Sequence, residues 1–199
     1  MDLMEIRRRM LIANDRPRYL GTSDFSLQNV TAYRDSSKYQ YLDIYLFKEE
    51  MPFTILMDCQ VVYGYDSGGR ITLDFLSGGD VKPGDFTQGL GMRHYSTYII
   101  NYLCNQGPYN ANAANDYNAH KLVMRYDPTK TRQMKGWIDS RTNEYSVTFV
   151  QSDNPLYIGG SNAQINSAAG YGTINELMIY YRALDDADIL GYINDGIIP

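Results

Sequence analysis

The 199-residue sequence predicts an all-β protein in which two antiparallel sheets stack as a sandwich. Strand-like segments recur at roughly 8–15-residue spacing, separated by turns containing Gly, Asp and Asn, which is the pattern of sandwiches and barrels. No strand-like segment alternates with a helical one in the βαβ manner. The 19 tyrosines suit the same class, because aromatic rings pack well on a pleated surface.

The first segment, MDLMEIRRRMLIA (1–13), is the exception and reads as a helix. At 100° per residue, Leu3, Met4, Ile6, Met10, Leu11 and Ala13 share one broad apolar face. Glu5 stands three and four residues before Arg8 and Arg9, where ion pairs form on a helix. Arg7 falls inside the apolar arc. Its stem either snorkels past the edge of that face or meets an acid on another subunit. We read a docking helix with Leu3, Ile6, Arg7, Met10 and Leu11 at its contact face. Pro17 ends it, so residues 1–17 form the helix and linker and residues 18–199 one sandwich domain.

Strands are then expected at YQYLDIYLF (39–47), FTILMDCQVVY (53–63) and ITLDFL (71–76), with one or two more in 89–103. HKLVMRYD (120–127), RQMKGWID (132–139), EYSVTFV (144–150), LYIGG (156–160) and GTINELMIYY (172–181) follow. DSRTN (139–143) reads as a hairpin turn. SGGDVKPGDFTQG (77–89) and NQGPYNANAANDYN (105–118) read as loops, and LDDADILGYIND (184–195) as a closing helical turn. In the second strand Phe53, Ile55, Met57, Cys59 and Val61 alternate with a more polar set. Cys59 is therefore expected to be a buried free thiol, with no bridge to Cys104 needed at this size. Near Asn175 the inward parity changes, which calls for a bulge.

Composition excludes several function classes. The net charge is −5, and the one dense basic run is Arg7-Arg8-Arg9, so a nucleic-acid partner is not expected. No stretch reaches the roughly 20 apolar residues that span a bilayer. The MLIA run after the arginines is too short for a secretion signal, so synthesis and folding in a cytoplasm are expected.

The final stretch, with Gly172, Ile174, Asn175, Glu176, Ile179, Tyr180, Arg182, Ala183, Leu184, Asp185, Asp188 and Ile189, resembles the C-terminal signature of the concanavalin A-like lectin/glucanase superfamily. The likeness is to its laminin-G-like (LamG) branch. FTILMD (53–58), HKLVMRYD followed by MKGWIDSRT, and PLYIGGSN resemble further family segments in the family's order. The resemblance covers about residues 40–195. It implies a concanavalin A-like jelly-roll sandwich with a short N-terminal helix and a short C-terminal helical turn. It implies no particular activity. The closing motif also has a structural reading. Asp185 can cap the last helix, Asp186 and Asp188 lie at its positive end, and Ile189 and Tyr192 lay it on the sandwich. Glu176 and Arg182 are read as bracing that corner. His120 resembles the family's structural strand histidine.

Glucanases of the superfamily carry paired carboxylates in a pattern such as Glu-x-Asp-x-x-Glu. None of the five glutamates here, Glu5, Glu49, Glu50, Glu144 and Glu176, forms it. An Asp58–Asp74 pair is the remaining route to a hydrolase, so no catalytic residue is assigned.

Binding is the better expectation. Sugar sites combine aromatic faces with hydrogen-bonding groups. Tyr109, Asn110, Asn112, Asn115, Asp116 and Tyr117 supply that chemistry in one predicted loop, and Asn162, Asn166 and Tyr171 in another. Turn geometry alone would also favour those asparagines. No cofactor is assigned; Asp66, Asp80 and Asp85 could contribute to a Ca²⁺ site, though their spacing is irregular. A terminal helix joined directly to a LamG-like domain resembles phage- and prophage-encoded structural proteins. The reading is therefore a non-enzymatic, virion-associated module that binds a host-surface glycan or protein through rim loops and other virion subunits through its helix. A purely structural decoration or baseplate protein and a glycoside hydrolase are the alternatives.

Overall fold

A computed structural model describes residues 23–33, 38–64, 71–78, 89–96, 98–103, 106–112, 117–159 and 170–196. The expected N-terminal helix and the boundary after residue 17 lie outside the described residues.

Two six-stranded antiparallel sheets make the sandwich. Sheet I runs β1 (Phe25–Tyr33), β12 (Gly170–Tyr180), β3 (Phe53–Gly64), β8 (Ala119–Tyr126), β9 (Met134–Ile138), β10 (Arg141–Tyr145). Sheet II runs β2 (Gln40–Leu42), β11 (Leu156–Ile158), β4 (Ile71–Gly78), β5 (Leu90–Ser96), β6 (Tyr98–Leu103), β7 (Gln106–Asn112). A helix, α1 (Asp186–Asp195), follows β12. This is a jelly-roll β-sandwich: the strand spacing predicts the sandwich, and the family resemblance the jelly roll.

The core forms because alternate residues of a strand face one side. Phe53, Ile55, Met57, Cys59 and Val61 of β3 are all buried between the sheets. Leu122, Met124 and Tyr126 of β8 and Ile174, Leu177 and Ile179 of β12 join them, facing Leu73, Phe75, Leu76, Leu90 and Met92 of sheet II. Each such side chain contributes about 1.5–3 kcal/mol on burial. Cys59 is a buried free thiol, and burial pushes its pKa well up, with Asp58 and Asp139 adding to the effect. The expected bulge is present. The register of β12 on β3 shifts between Ile174 and Glu176, and the displaced Asn175 donates through Nδ2 to Asp58 Oδ1 at 2.8 Å.

A second apolar cluster lies on the outer face of sheet I. Leu56, Val123, Trp137 and Tyr180 are covered by Leu184, Ile189 and Tyr192 at and in α1. β8 holds both ends of that helix. Arg125 Nη1 donates to Leu184 O at 2.9 Å and to Asp186 Oδ1 at 2.6 Å. Lys121 Nζ donates to the last-turn carbonyls of Tyr192 and Ile193 at 2.6 and 3.0 Å. Residues four apart on a strand are separated by about 13 Å and six or seven residues of helix by about 9–10.5 Å, a difference that the long Lys and Arg side chains span. A cation at the helix C-terminus and an acid at its N-terminus both complement the helix dipole.

Several sequence expectations are corrected. Residues 106–112 form strand β7 at the edge of sheet II rather than a loop. An edge position of this kind tolerates a proline such as Pro108. β1 was not anticipated. Only 40–42 of the 39–47 segment pairs as strand, although Ile44, Leu46 and Phe47 are buried. The return strand after β9 is Arg141–Tyr145, not 144–150, and pairs Arg141 with Ile138. The turn is just Asp139–Ser140, with Asp139 at φ 50°, a left-handed conformation that Asp tolerates. Finally, Asp185 begins α1 through its carbonyl, which accepts Ile189 N–H at 3.1 Å, but its side chain makes no cap bond. The acid that matters there is Asp186.

Candidate functional site

The expected binding residues divide between the two sheets. Tyr109, Asn110 and Asn112 lie on β7, opposite Asn101, Ile100 and Tyr98 of β6. Tyr117 precedes β8; it is half-buried, packs on the core, and its carbonyl accepts Gln60 Nε2 at 2.6 Å. Tyr171 opens β12 and is exposed. Asn115, Asp116, Asn162 and Asn166 lie outside the described residues. So do Asp66, Asp80 and Asp85, and the helix positions Leu3, Ile6, Arg7, Met10 and Leu11.

Around Tyr171 the register builds an aromatic row. Tyr33 pairs with Tyr171 across β1 and β12, and Tyr171 pairs with Tyr63 across β12 and β3. Ala32 and Val61 are buried in the core; alternation sends Tyr33 to the outer face, and the register shift of β3 on β12 between Tyr171 and Gly172, which inserts Val62, turns Tyr63 outward beside it. Ring centroids are 6.4 Å apart at both steps, with interplanar angles of 39° and 37°. Tyr171 is 41% exposed and Tyr63 49%, while Tyr33 is half-buried beneath Lys38, whose Nζ lies 5.3 Å from the ring centroid.

The backbone beneath this row is tightly specified. A Cβ on Gly172 would stand 2.6 Å from Gln60 O and from the Leu73 side chain. Gly159, at φ 74°, brings its Cα so close to β1 that a Cβ would meet Tyr33 O at 2.7 Å. That contact joins sheet II to the first rung of the row. Gln40 Nε2 adds a bond to Thr31 O at 3.2 Å.

A second tyrosine group lies just across this seam, on the outer face of sheet II. Tyr41 pairs with Tyr157, and Tyr157 with Ser77. Tyr39, Tyr41 and Tyr157 make edge-to-face contacts with centroids 4.9–5.9 Å apart. The Tyr39 and Tyr41 hydroxyls are 3.0 Å apart. That hydrogen bond, together with some burial, raises the Tyr41 pKa; burial first, then Tyr39 and Tyr45, raises that of Tyr157. Both phenols stay protonated at neutral pH and can donate as well as accept.

A polar cleft of about 740 Å³ opens elsewhere, between the β8–β9 turn and the corner before α1. Arg125, Asp127, Lys130, Arg132, Glu144 and Asp186 line it. Its charges largely neutralise each other. Asp186 bridges Arg125 and Lys135, each at 2.6 Å, and Lys135 also meets Glu144 at 3.1 Å. Asp58 and Asp74, the one carboxylate pair considered for hydrolysis, sit in different sheets, on β3 and β4. No group of three potential metal ligands occurs among the described residues.

No family model matches the chain, and no curated protein sequence matches it. Solved structures do. One is the CBM40 of the Ruminococcus gnavus IT-sialidase bound to α2,3-sialyllactose, with a TM-score of 0.56 and 14% identity, covering 86% of this chain and 98% of that one. The binding domain of botulinum neurotoxin serotype G aligns with a TM-score of 0.60 at 8% identity, covering 87% of this chain and 45% of that one. The leech intramolecular trans-sialidase aligns with a TM-score of 0.59 at 16% identity over 86% of this chain, but only 28% of its own. At these identities the likeness is one of fold.

Tyr33 and Tyr63 were absent from the sequence reading. Tyr63 had a misleading signal, because the alternation of FTILMDCQVVY points it inward and only the register shift at Val62 turns it outward. Tyr33 had none, since its strand was not legible.

Proposed function

We propose that the chain is a non-catalytic glycan-binding sandwich whose contact surface is the tyrosine-rich end of sheet I. The observation that carries this reading is the Tyr33–Tyr171–Tyr63 row. Three flat rings stand side by side on a sheet face, each with a hydroxyl at its rim. That is the chemistry a sugar meets through its C–H face and its hydroxyls. The fold supports the reading, since a jelly-roll neighbour of similar length is a module bound to sialyllactose. The placement of Asp58 and Asp74 in separate sheets weighs against a shared catalytic cleft.

The wider setting rests on the LamG-like resemblance alone. In it the module belongs to a phage or prophage virion, residues 1–13 attach it to other subunits, and it meets a host-surface glycan. A glycan array tests the binding reading. Binding to a defined set of glycans, lost in Tyr63→Ala and Tyr171→Ala with the melting temperature retained, is expected. Absence of binding to every glycan would overturn it.

A further inference from the structure

We infer that the tyrosine row binds the interior of a single, soluble, linear chain of β-1,4-linked pyranoses, rather than a terminal sugar or the flat face of a crystalline polymer. The inference rests on the glycan-binding reading and specifies its ligand.

The first argument is shape. A terminal sugar is held by enclosure, with groups converging on it from several sides. The row offers one side only. Tyr171 and Tyr63 are exposed at 41% and 49% on a sheet face, and the polar cleft is lined by residues of the β8–β9 turn and the α1 corner, none of them in the row. A platform of this kind gains affinity by repetition, one ring for each sugar. The two exposed rings ask for two sugars and the half-buried Tyr33, beneath Lys38, meets a third in part, so the row favours a chain longer than a disaccharide.

The second argument is linkage. The rings advance along a line, 6.4 Å per step, across three neighbouring strands. A chain joined through equatorial β-1,4 bonds is an extended ribbon whose successive C–H faces also lie along a line. An α-linked chain curls and would leave a straight row after one or two sugars.

The third argument is twist. Neighbouring rings are inclined to one another by 39° and 37°, so no two adjacent rings share a plane. A flat crystalline surface would meet one ring and miss the others. A free chain can turn about its glycosidic bonds and follow all three.

The experiment uses the full chain in titration calorimetry with cellohexaose, xylohexaose and chitohexaose, the corresponding disaccharides, maltohexaose and 3′-sialyllactose. A pull-down on crystalline cellulose and crystalline chitin accompanies it. Binding of at least one β-1,4 hexaose is expected, with its disaccharide and maltohexaose at least about tenfold weaker. Tyr63→Ala and Tyr171→Ala should each weaken the hexaose by about tenfold. Tyr63→Phe and Tyr171→Phe, which keep the ring, should stay within about threefold. Circular dichroism melts of each variant separate lost binding from lost folding.

A disaccharide that binds as well as its hexaose, equal binding of maltohexaose, or capture by the crystalline polymers without binding of the hexaoses would overturn the inference. Sialyllactose binding that the alanine variants abolish, without binding of any hexaose, would also overturn it, while leaving the glycan-binding reading in place. Silence across the titrations and the glycan array removes both.

Discussion

Thr54 and Leu184, 130 residues apart, share a buried hydrogen bond in which the Leu184 N–H donates to Thr54 Oγ1 at 3.0 Å. The same hydroxyl donates to Arg182 O at 2.9 Å. One side chain thus fixes both backbone groups of the corner where β12 leaves sheet I for α1. Thr54→Val keeps the shape and removes both bonds, leaving a buried donor and acceptor unmet. A loss of about 1–3 kcal/mol is expected, read from urea unfolding. Thr54→Ser should recover most of it.

Asp186 answers a repulsion built into sheet I. Arg125 and Lys135 are direct register partners on β8 and β9, and like charges in that position are destabilising. Both also flank Trp137, at 5.4 and 5.1 Å from its ring. Burial works against the Asp186 carboxylate, but the bonds from Lys135 and Arg125 outweigh it and lower its pKa. The carboxylate is half-exposed, so solvent screens the pairs, and Asp186→Asn should cost about 1 kcal/mol. Double-mutant cycles with Lys135→Met would show coupling if the bridge is energetic rather than incidental.

Acid should unfold the protein partly through Asp139. Its burial opposes ionisation, yet the bond from His120 and the Lys121 N–H hold its pKa below the usual carboxylate value. The contacts are His120 Nδ1 to Oδ2 and Lys121 N–H to Oδ1, both 2.9 Å. A carboxyl with a depressed folded pKa binds fewer protons folded than unfolded. Its contribution is therefore complete above the unfolded value of about 4 and disappears as pH falls from there through the folded one. Urea midpoints from pH 7 to pH 2 should fall more shallowly in Asp139→Asn than in the parent. An unchanged acid slope would remove Asp139 from the account.

Gly159 links the two sheets to the tyrosine row. A Cβ there meets Tyr33 O at 2.7 Å and Tyr33 N at 2.9 Å, and φ is 74°. Gly159→Ala should lower stability by about 1–3 kcal/mol and weaken glycan binding, because the first rung must shift. Gly196→Ala is the matched control. It shares a positive φ of 66°, but its nearest contact is Lys121 Nζ at 3.7 Å. It should reduce stability through backbone strain while leaving binding unchanged.

What could be read from the sequence follows from where alternation is intact. β3, β8 and β12 carry long alternating runs, and their expected positions hold. β1 hides because its inward set is Phe25 and Leu27, then Val30 and Ala32. The parity slips at Asn29, which sits at φ 55°. β7 and β10 hide because edge strands need no apolar pattern; Arg141, Thr142, Asn143 and Glu144 are all exposed. Val147, Phe149 and Val150 mislead in the opposite sense, since they pack on the core without joining a ladder. The tyrosine row was only one-third legible. Its members are far apart in the chain, and register alone makes them neighbours.

That same register orders events during synthesis. β1 takes its partner from β12, with Phe25 opposite Ile179, and β12 also separates β1 from β3. A ribosome must therefore deliver nearly all of the domain before its first strand can be seated. Pairings this distant in sequence form slowly, and an N-terminal strand kept waiting is exposed to non-native partners in the interval. Moving β1 behind α1 by circular permutation would shorten that wait, and refolding rates would show by how much.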